Sequence, residues 1–123
     1  MSNIYALKID QGSTKSFVFN IKDAGGVAFN LTGYDARLQV RRTYGDVAAL
    51  MNCTLANGKL VLTNAVGGVL TWKVQPIDST AIRFASKDDE ECQAVFDLEI
   101  QSALGDVAKP ARGTLAIFRE VTR

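Results

Sequence analysis

The sequence predicts an all-β fold, a single antiparallel β-sandwich built from seven to nine short strands. Period-two alternation of apolar and polar residues runs through almost the whole chain. Glycine-containing turns separate the runs at regular spacing. A stretch near 76–85 breaks the alternation and predicts one short helical turn. With 123 residues the chain is the size of one domain, spanning 1–123.

The elements follow in order. Tyr5, Leu7 and Ile9 share one parity, and after Gln11-Gly12 so do Phe17, Phe19 and Ile21. Asp23-Ala24-Gly25-Gly26 is a turn, and Val27, Phe29 and Leu31 predict a further strand. Beyond Gly33, Ala36, Leu38 and Val40 interleave with Arg37, Gln39 and Arg41, the clearest half-buried strand in the chain. Met51, Cys53 and Leu55 form the next run, and Asn57-Gly58 predicts a hairpin into Leu60-Val61-Leu62. Gly67-Gly68 turns into Leu70, Trp72 and Val74. Ala94, Phe96, Leu98 and Ile100 alternate with Val95, Asp97, Glu99 and Gln101. Pro110 is expected just before a last strand over roughly 113–121. Shared parity places Phe17, Phe19, Leu38, Val40, Leu70, Trp72, Phe96, Leu98, Leu115 and Ile117 in one core.

Composition narrows the chemistry. The chain has no histidine. That removes every Ser-His-Asp or Cys-His arrangement and every His-ligated metal site within it. Two cysteines, Cys53 and Cys92, fall on inward parity and read as buried thiols rather than a disulfide framework. Fourteen basic and thirteen acidic residues leave a formal charge of +1, so charge gives no reason to expect a nucleic-acid partner. No window reaches the length of an apolar membrane span, and the first ten residues do not form a signal peptide.

Candidate sites each have a plain alternative. Asp88-Asp89-Glu90-Glu91 lacks the ligand spacing of a calcium loop and reads as a solvated loop. Asp97 and Glu99 sit about 7 Å apart along one strand face and are expected to meet Lys or Arg on a neighbouring strand. Arg37, Arg41, Arg42, Lys73 and Lys87 lack the exposed aromatics of a single-strand nucleic-acid surface. None of the glycines has phosphate-loop spacing. The expectation is a protein that is not an enzyme, with no catalytic residue, cofactor or metal. Its function then lies in its surface.

Four segments resemble a known group. Asn30-Leu31-Thr32-Gly33-Tyr34-Asp35-Ala36-Arg37-Leu38-Gln39-Val40-Arg41 resembles the "(D/N)LTGY-x-A-R-x-Q-V-R" segment of a group of phage virion proteins. Phe96-Asp97-Leu98-Glu99-Ile100 is similar to its "YDLE(I/L)" strand, with Phe96 where tyrosine is usual. Residues 113–123 are similar to its closing segment ending in EVTR, and Ile9-Asp10-Gln11-Gly12-Ser13-Thr14 to its opening hairpin. The group resembles the N-terminal domain of the upper baseplate proteins of phages. The resemblance implies an immunoglobulin-like sandwich and a non-enzymatic structural subunit of a bacteriophage virion.

A tail-associated place, as a baseplate or tail-fibre adaptor, is the leading expectation; the upper baseplate proteins carry further domains, and the expectation of none after Arg123 favours an adaptor or a decorating subunit over a receptor-binding arm. Head decoration is the alternative. A module binding carbohydrate on a host surface is a further one, with Tyr34, Tyr44 and Phe118 as its only aromatics outside the expected core. The implied partners are other virion subunits of tail, baseplate, fibre or capsid, in many copies per particle, with no nucleic acid and no membrane. Assembly is expected in the host bacterial cytoplasm. A lone sandwich exposes strand edges, and the first and last strands are the candidates. Docking is therefore expected at Tyr5, Phe118, Arg119, Glu120 and Arg123.

Overall fold

A computed structural model of the chain describes residues 3–121. Its elements in order are β1 (Asn3–Asp10), β2 (Lys15–Asn20), β3 (Asp35–Arg41), β4 (Met51–Thr54), β5 (Leu60–Asn64), β6 (Val69–Val74), α1 (Pro76–Thr80), β7 (Glu91–Gln101) and β8 (Val107–Phe118). Two sheets form. One runs β1-β8-β7-β3-β4, and the other β2-β6-β5. Side chains of one parity from both sheets meet between them, which is the packing of a sandwich.

The strand order identifies the architecture. An immunoglobulin domain sets its second, fifth and fourth strands in one sheet against its last, sixth, third and accessory strands in the other. Here β2-β6-β5 and β8-β7-β3-β4 reproduce those two rows. The protein is an immunoglobulin-like β-sandwich. One departure concerns the first strand. In that layout it lies beside the second, whereas β1 lies beside β8 and runs parallel to it, with Tyr5 opposite Gly113 and Ile9 opposite Ile117. The expectation of a purely antiparallel sandwich is corrected at this one pairing. The Gln11–Thr14 turn carries the chain to the other sheet instead of closing a hairpin, so β1 enters next to β8 from the same end.

The core holds Phe19, Leu38, Val40, Leu70, Trp72, Phe96, Leu98, Leu115 and Ile117 fully buried, with Phe17 half-buried against them. Five rings make a continuous contact. Tyr5 meets the edge of Phe19 at 5.2 Å between centroids, Phe19 lies 6.4 Å from Phe96, Phe96 is 5.9 Å from Trp72, and Trp72 is 5.2 Å from Phe17. Offset and edge contacts at these distances are the favourable geometries for aromatic pairs. The series crosses from sheet to sheet three times. It joins β2 to β7, the two strands that a disulfide bridges in antibody domains.

Cys53 and Cys92 are both buried and free. Burial pushes the Cys53 thiol up to about 11, against a smaller lowering by the nearby Trp72 indole. The Trp72 indole Nε1 is buried and has no hydrogen-bond partner among the described residues.

Several sequence expectations are corrected. The run Val27 to Leu31 is not a strand. Asp23 Oδ1 accepts from the N–H groups of Gly25 and Val27 and folds the segment back on itself. Phe29 N then donates to Ile21 O and Leu31 N to Ala65 O, so the segment covers the β5–β6 turn. Asn57-Gly58 does not make a hairpin, because β4 and β5 belong to different sheets. Asn57 Oδ1 accepts from Thr54 N and Lys59 N, shaping a turn that passes between the sheets. The helical turn ends at Thr80 instead of continuing to 85. The last strand begins at Val107 and contains Pro110. Leu98 pairs with Ala111 and Ile100 with Ala108, which leaves one extra residue on β8. At a bulge a missing N–H costs the ladder little. The strand also ends at Phe118, short of the expected 121.

Gly113 lies so close to β1 that a Cβ there would overlap the backbone carbonyl of Tyr5. Gly113→Ala should therefore displace β1 and cost about 3 kcal/mol or more. Thermal unfolding and faster amide exchange confined first to residues 3–10 would report it; an unchanged melting temperature contradicts the close approach. The Cys53 thiol should resist labelling by a disulfide reagent at pH 8 in the folded protein, where only about a thousandth is thiolate. The folded state holds the Cys53 proton more tightly than the unfolded chain. This stabilising contribution is present below pH 9 and is lost as pH rises from 9 to about 11. Reagent titration of the native protein, with the unfolded protein as reference, measures the first effect directly.

Candidate functional site at the β8 terminus

The expected docking residues can be placed by the ladder. β8 ends at Phe118, opposite Asp10 of β1 and Glu91 of β7. The β1–β2 turn, α1 and the 81–90 segment therefore gather where the chain leaves β8. Gln11 is the hub. Its Nε2 donates to the carbonyls of Ser79 and Ile82 at 3.2 Å each, and its Oε1 accepts from Glu120 N at 3.3 Å. Gly12 N donates to the buried Ser79 Oγ at 2.8 Å. Gly12 has φ +78, and a side chain there would run into the Glu120 carboxylate. Pro76 opens α1 without wasting an N–H, and Asp78 accepts from Gln75 N at 2.7 Å while also pairing with Lys59.

Arg119 fastens the other side. Its Nη1 donates to Lys87 O at 2.8 Å and its Nη2 to Ser86 O at 2.7 Å. The guanidinium lies 4.4 Å from the centroid of the Phe84 ring. Arg42 acts in a similar way, donating to Arg83 O and to Cys92 Sγ, the latter at 3.1 Å. Between these elements lies an open cleft of about 450 Å³, bordered by Gln11, Arg83, Phe84, Lys87, Arg119 and Glu120.

The structure thus brings Phe118, Arg119 and Glu120 together, all half-buried. It does not bring Tyr5 to them. Tyr5 is in the middle of β1, half-buried with its ring against Phe19. Arg123 lies outside the described residues. The expectation that the last strand is an edge is corrected, because β8 lies between β1 and β7. Its hydrogen bonds are taken on both sides from Ala111 onward. The edges are β1, β4, β2 and β5.

Sequence reasoning passed over Ser79, and met Gln11 only as part of a turn and Arg42 only as part of a basic set, although all three hold this end together. Each contact spans 40 residues or more, and no local spacing signals it.

The charged sheet face behaves as expected. Arg37 meets Glu99 at 2.5 Å and Lys109 meets Asp97 at 3.3 Å across neighbouring strands. The five basic residues do not form one patch. Arg37 is paired with Glu99, Arg41 Nη1 donates to Gln39 Oε1 at 2.7 Å, Arg42 is turned to Arg83, and Lys73 belongs to the other sheet. Of the three aromatics set aside for a carbohydrate platform, Tyr34 packs edge-on to Phe29 and Phe118 is half-buried. Tyr44 alone is open, at 79%.

Comparison with known proteins adds little. No family model matches the chain, and no curated protein does. Among solved structures, murine CRIg is similar over 94% of this chain and 92% of that one, at 10% identity and a TM-score of 0.41. A likeness at that level assigns nothing to this chain; the fold rests on the strand order above.

Arg119→Ala should cost about 2 kcal/mol, from two charge-assisted hydrogen bonds and the ring contact. Amides of residues 84–91 should exchange faster in hydrogen-exchange mass spectrometry while those of β3 and β6 do not change. Equal protection of residues 84–91 in variant and parent would show that the guanidinium does not hold the loop.

Proposed function

We propose that the protein is a non-enzymatic structural subunit of a bacteriophage virion, tail-associated as a baseplate or fibre adaptor. The observation that carries this reading is where the four resembling segments fall. Arg37, from the segment around Leu31-Thr32-Gly33-Tyr34, forms its ion pair with Glu99, from Phe96-Asp97-Leu98-Glu99-Ile100. Gln11, from the opening segment, accepts from the backbone of Glu120 in the closing one. Gln11 N also donates to Phe118 O. Motifs separated by 62 and 109 residues in sequence meet as two contacting pairs.

A small sandwich suits such a role physically. Weak contacts suffice when many copies bind a repeating array, and no reacting group is required. The open cleft at the β8 terminus is the natural place for a neighbouring subunit, since its Arg83 and Lys87 make no ion pair among the described residues. Head decoration uses the same chemistry at a different station.

Cryo-electron microscopy of intact particles tests the assignment. Density for the sandwich at the baseplate or fibre base is the expected result. Density on the head lattice would move the protein to a decorating role. Purified particles free of the protein by mass spectrometry would end the virion reading.

A further inference from the structure

Among the described residues four strand edges are open, and three of them are guarded. β4 is four residues long, β5 carries a register irregularity between Val61 and Asn64, and β1 presents Lys8 and Asp10 outward. Short length, bulges and charge are the usual protections of a sheet edge. β2 has none of them along its centre. It is regular over Phe17 and Phe19, contains no proline, and turns Ser16, Val18 and Asn20 outward, with Val18 57% exposed. The immunoglobulin layout seats the first strand beside the second. In this protein β1 is taken by β8, so the position beside β2 is vacant among the described residues.

The backbone says which groups are open. Lys73 N donates to Lys59 O, so Lys73 and Thr71 face β5 while Trp72 and Leu70 face β2. Their partners Phe17 and Phe19 spend their N–H and C=O on β6. Ile21 N, turned to Gly68 O, keeps the same alternation. Ser16, Val18 and Asn20 therefore direct their N–H and C=O groups away from the protein.

We propose that a second copy of this chain fills the vacancy, β2 against β2, antiparallel across a two-fold axis at Val18. One symmetric register uses all three outward residues. It sets Val18 opposite Val18 and Ser16 opposite Asn20, with about six interchain hydrogen bonds. No like charges meet, since the outward row is uncharged, and the Ser16 hydroxyl reaches the Asn20 amide. The two three-stranded sheets become one six-stranded sheet. The contact is a single strand pair, so the dimer is weak and concentration-dependent.

Sedimentation of the intact protein in a concentration series to about 1 mM tests this. The parent should pass from monomer to dimer. Val18→Pro should stay monomeric with its melting temperature retained, because that N–H bonds nothing within the fold and an edge strand tolerates proline there. Val18→Lys and Val18→Asp should each weaken self-association about tenfold or more, and mixing the two should restore a dimer. This pair keeps the test decisive even where the proline variant folds poorly. A parent that is monomeric throughout overturns the proposal. So does a Val18→Pro dimer as strong as the parent's, or a mixture of Lys and Asp variants that stays monomeric. A dimer lost instead in Ala6→Pro would assign self-association to β1 and overturn it equally.

Discussion

The series of five rings from Tyr5 to Phe17 is the contact on which the rest of the structure depends. Each sheet alone is a few short strands with one apolar face, and neither is stable in water without the other. The rings come from β1, β2, β7 and β6, so one aromatic network joins four strands drawn from both sheets. Tyr5 is its outermost member. Its contact with Phe19 draws β1 over β2 while the β1 backbone pairs with β8, and Gly113 supplies the space that this close approach needs. From that placement follow the two features that bear on interaction. The C-terminal ends of β1 and β8 meet at one end and build the cleft there, and β2 is left as a bare edge.

Much of this was legible in the sequence because strand parity is a local property. Leu38, Val40, Trp72, Leu98 and Ile117 could be assigned to the core from their immediate neighbours alone, and all are buried. The cross-strand partners of Asp97 and Glu99 could be foreseen in kind, since an outward carboxylate on a sheet face seeks a cation beside it. What could not be read was anything decided by where a strand goes after its turn. Asn57-Gly58 has the chemistry of a hairpin, yet it links two sheets, because β3 and β6 offer better partners to β4 and β5 than these offer each other. The direction of β1 is set more than 100 residues away, at β8. Val27, Phe29 and Leu31 alternate as a strand would, but Asp23 gives their backbone a local alternative.

The candidate docking residues show the same division. Phe118, Arg119 and Glu120 are adjacent in sequence, so their meeting at one end was assured. Their roles were not. Arg119 has the charge of a docking residue but falls on the inward parity of Leu115 and Ile117, and its guanidinium is occupied by the Ser86 and Lys87 carbonyls and by the Phe84 ring. A charge read from sequence as available to a partner is already in use within the domain. Among the described residues, the cations of that end without an ion pair are Arg83 and Lys87, on the segment that Arg119 holds. Phage-particle assembly, as proposed, would then use residues whose position depends on the contacts that Arg119 makes within the domain.

An aromatic network in place of a covalent bridge changes how the sandwich comes apart. A disulfide acts chiefly by restricting the unfolded chain, and it leaves the two strands tethered after everything else has separated. Phe19 and Phe96 offer no such tether. Removing either ring from its place strips contacts from a neighbour in the opposite sheet, so partial opening of one sheet exposes the inner face of the other. Loss of the core is then expected as one cooperative step.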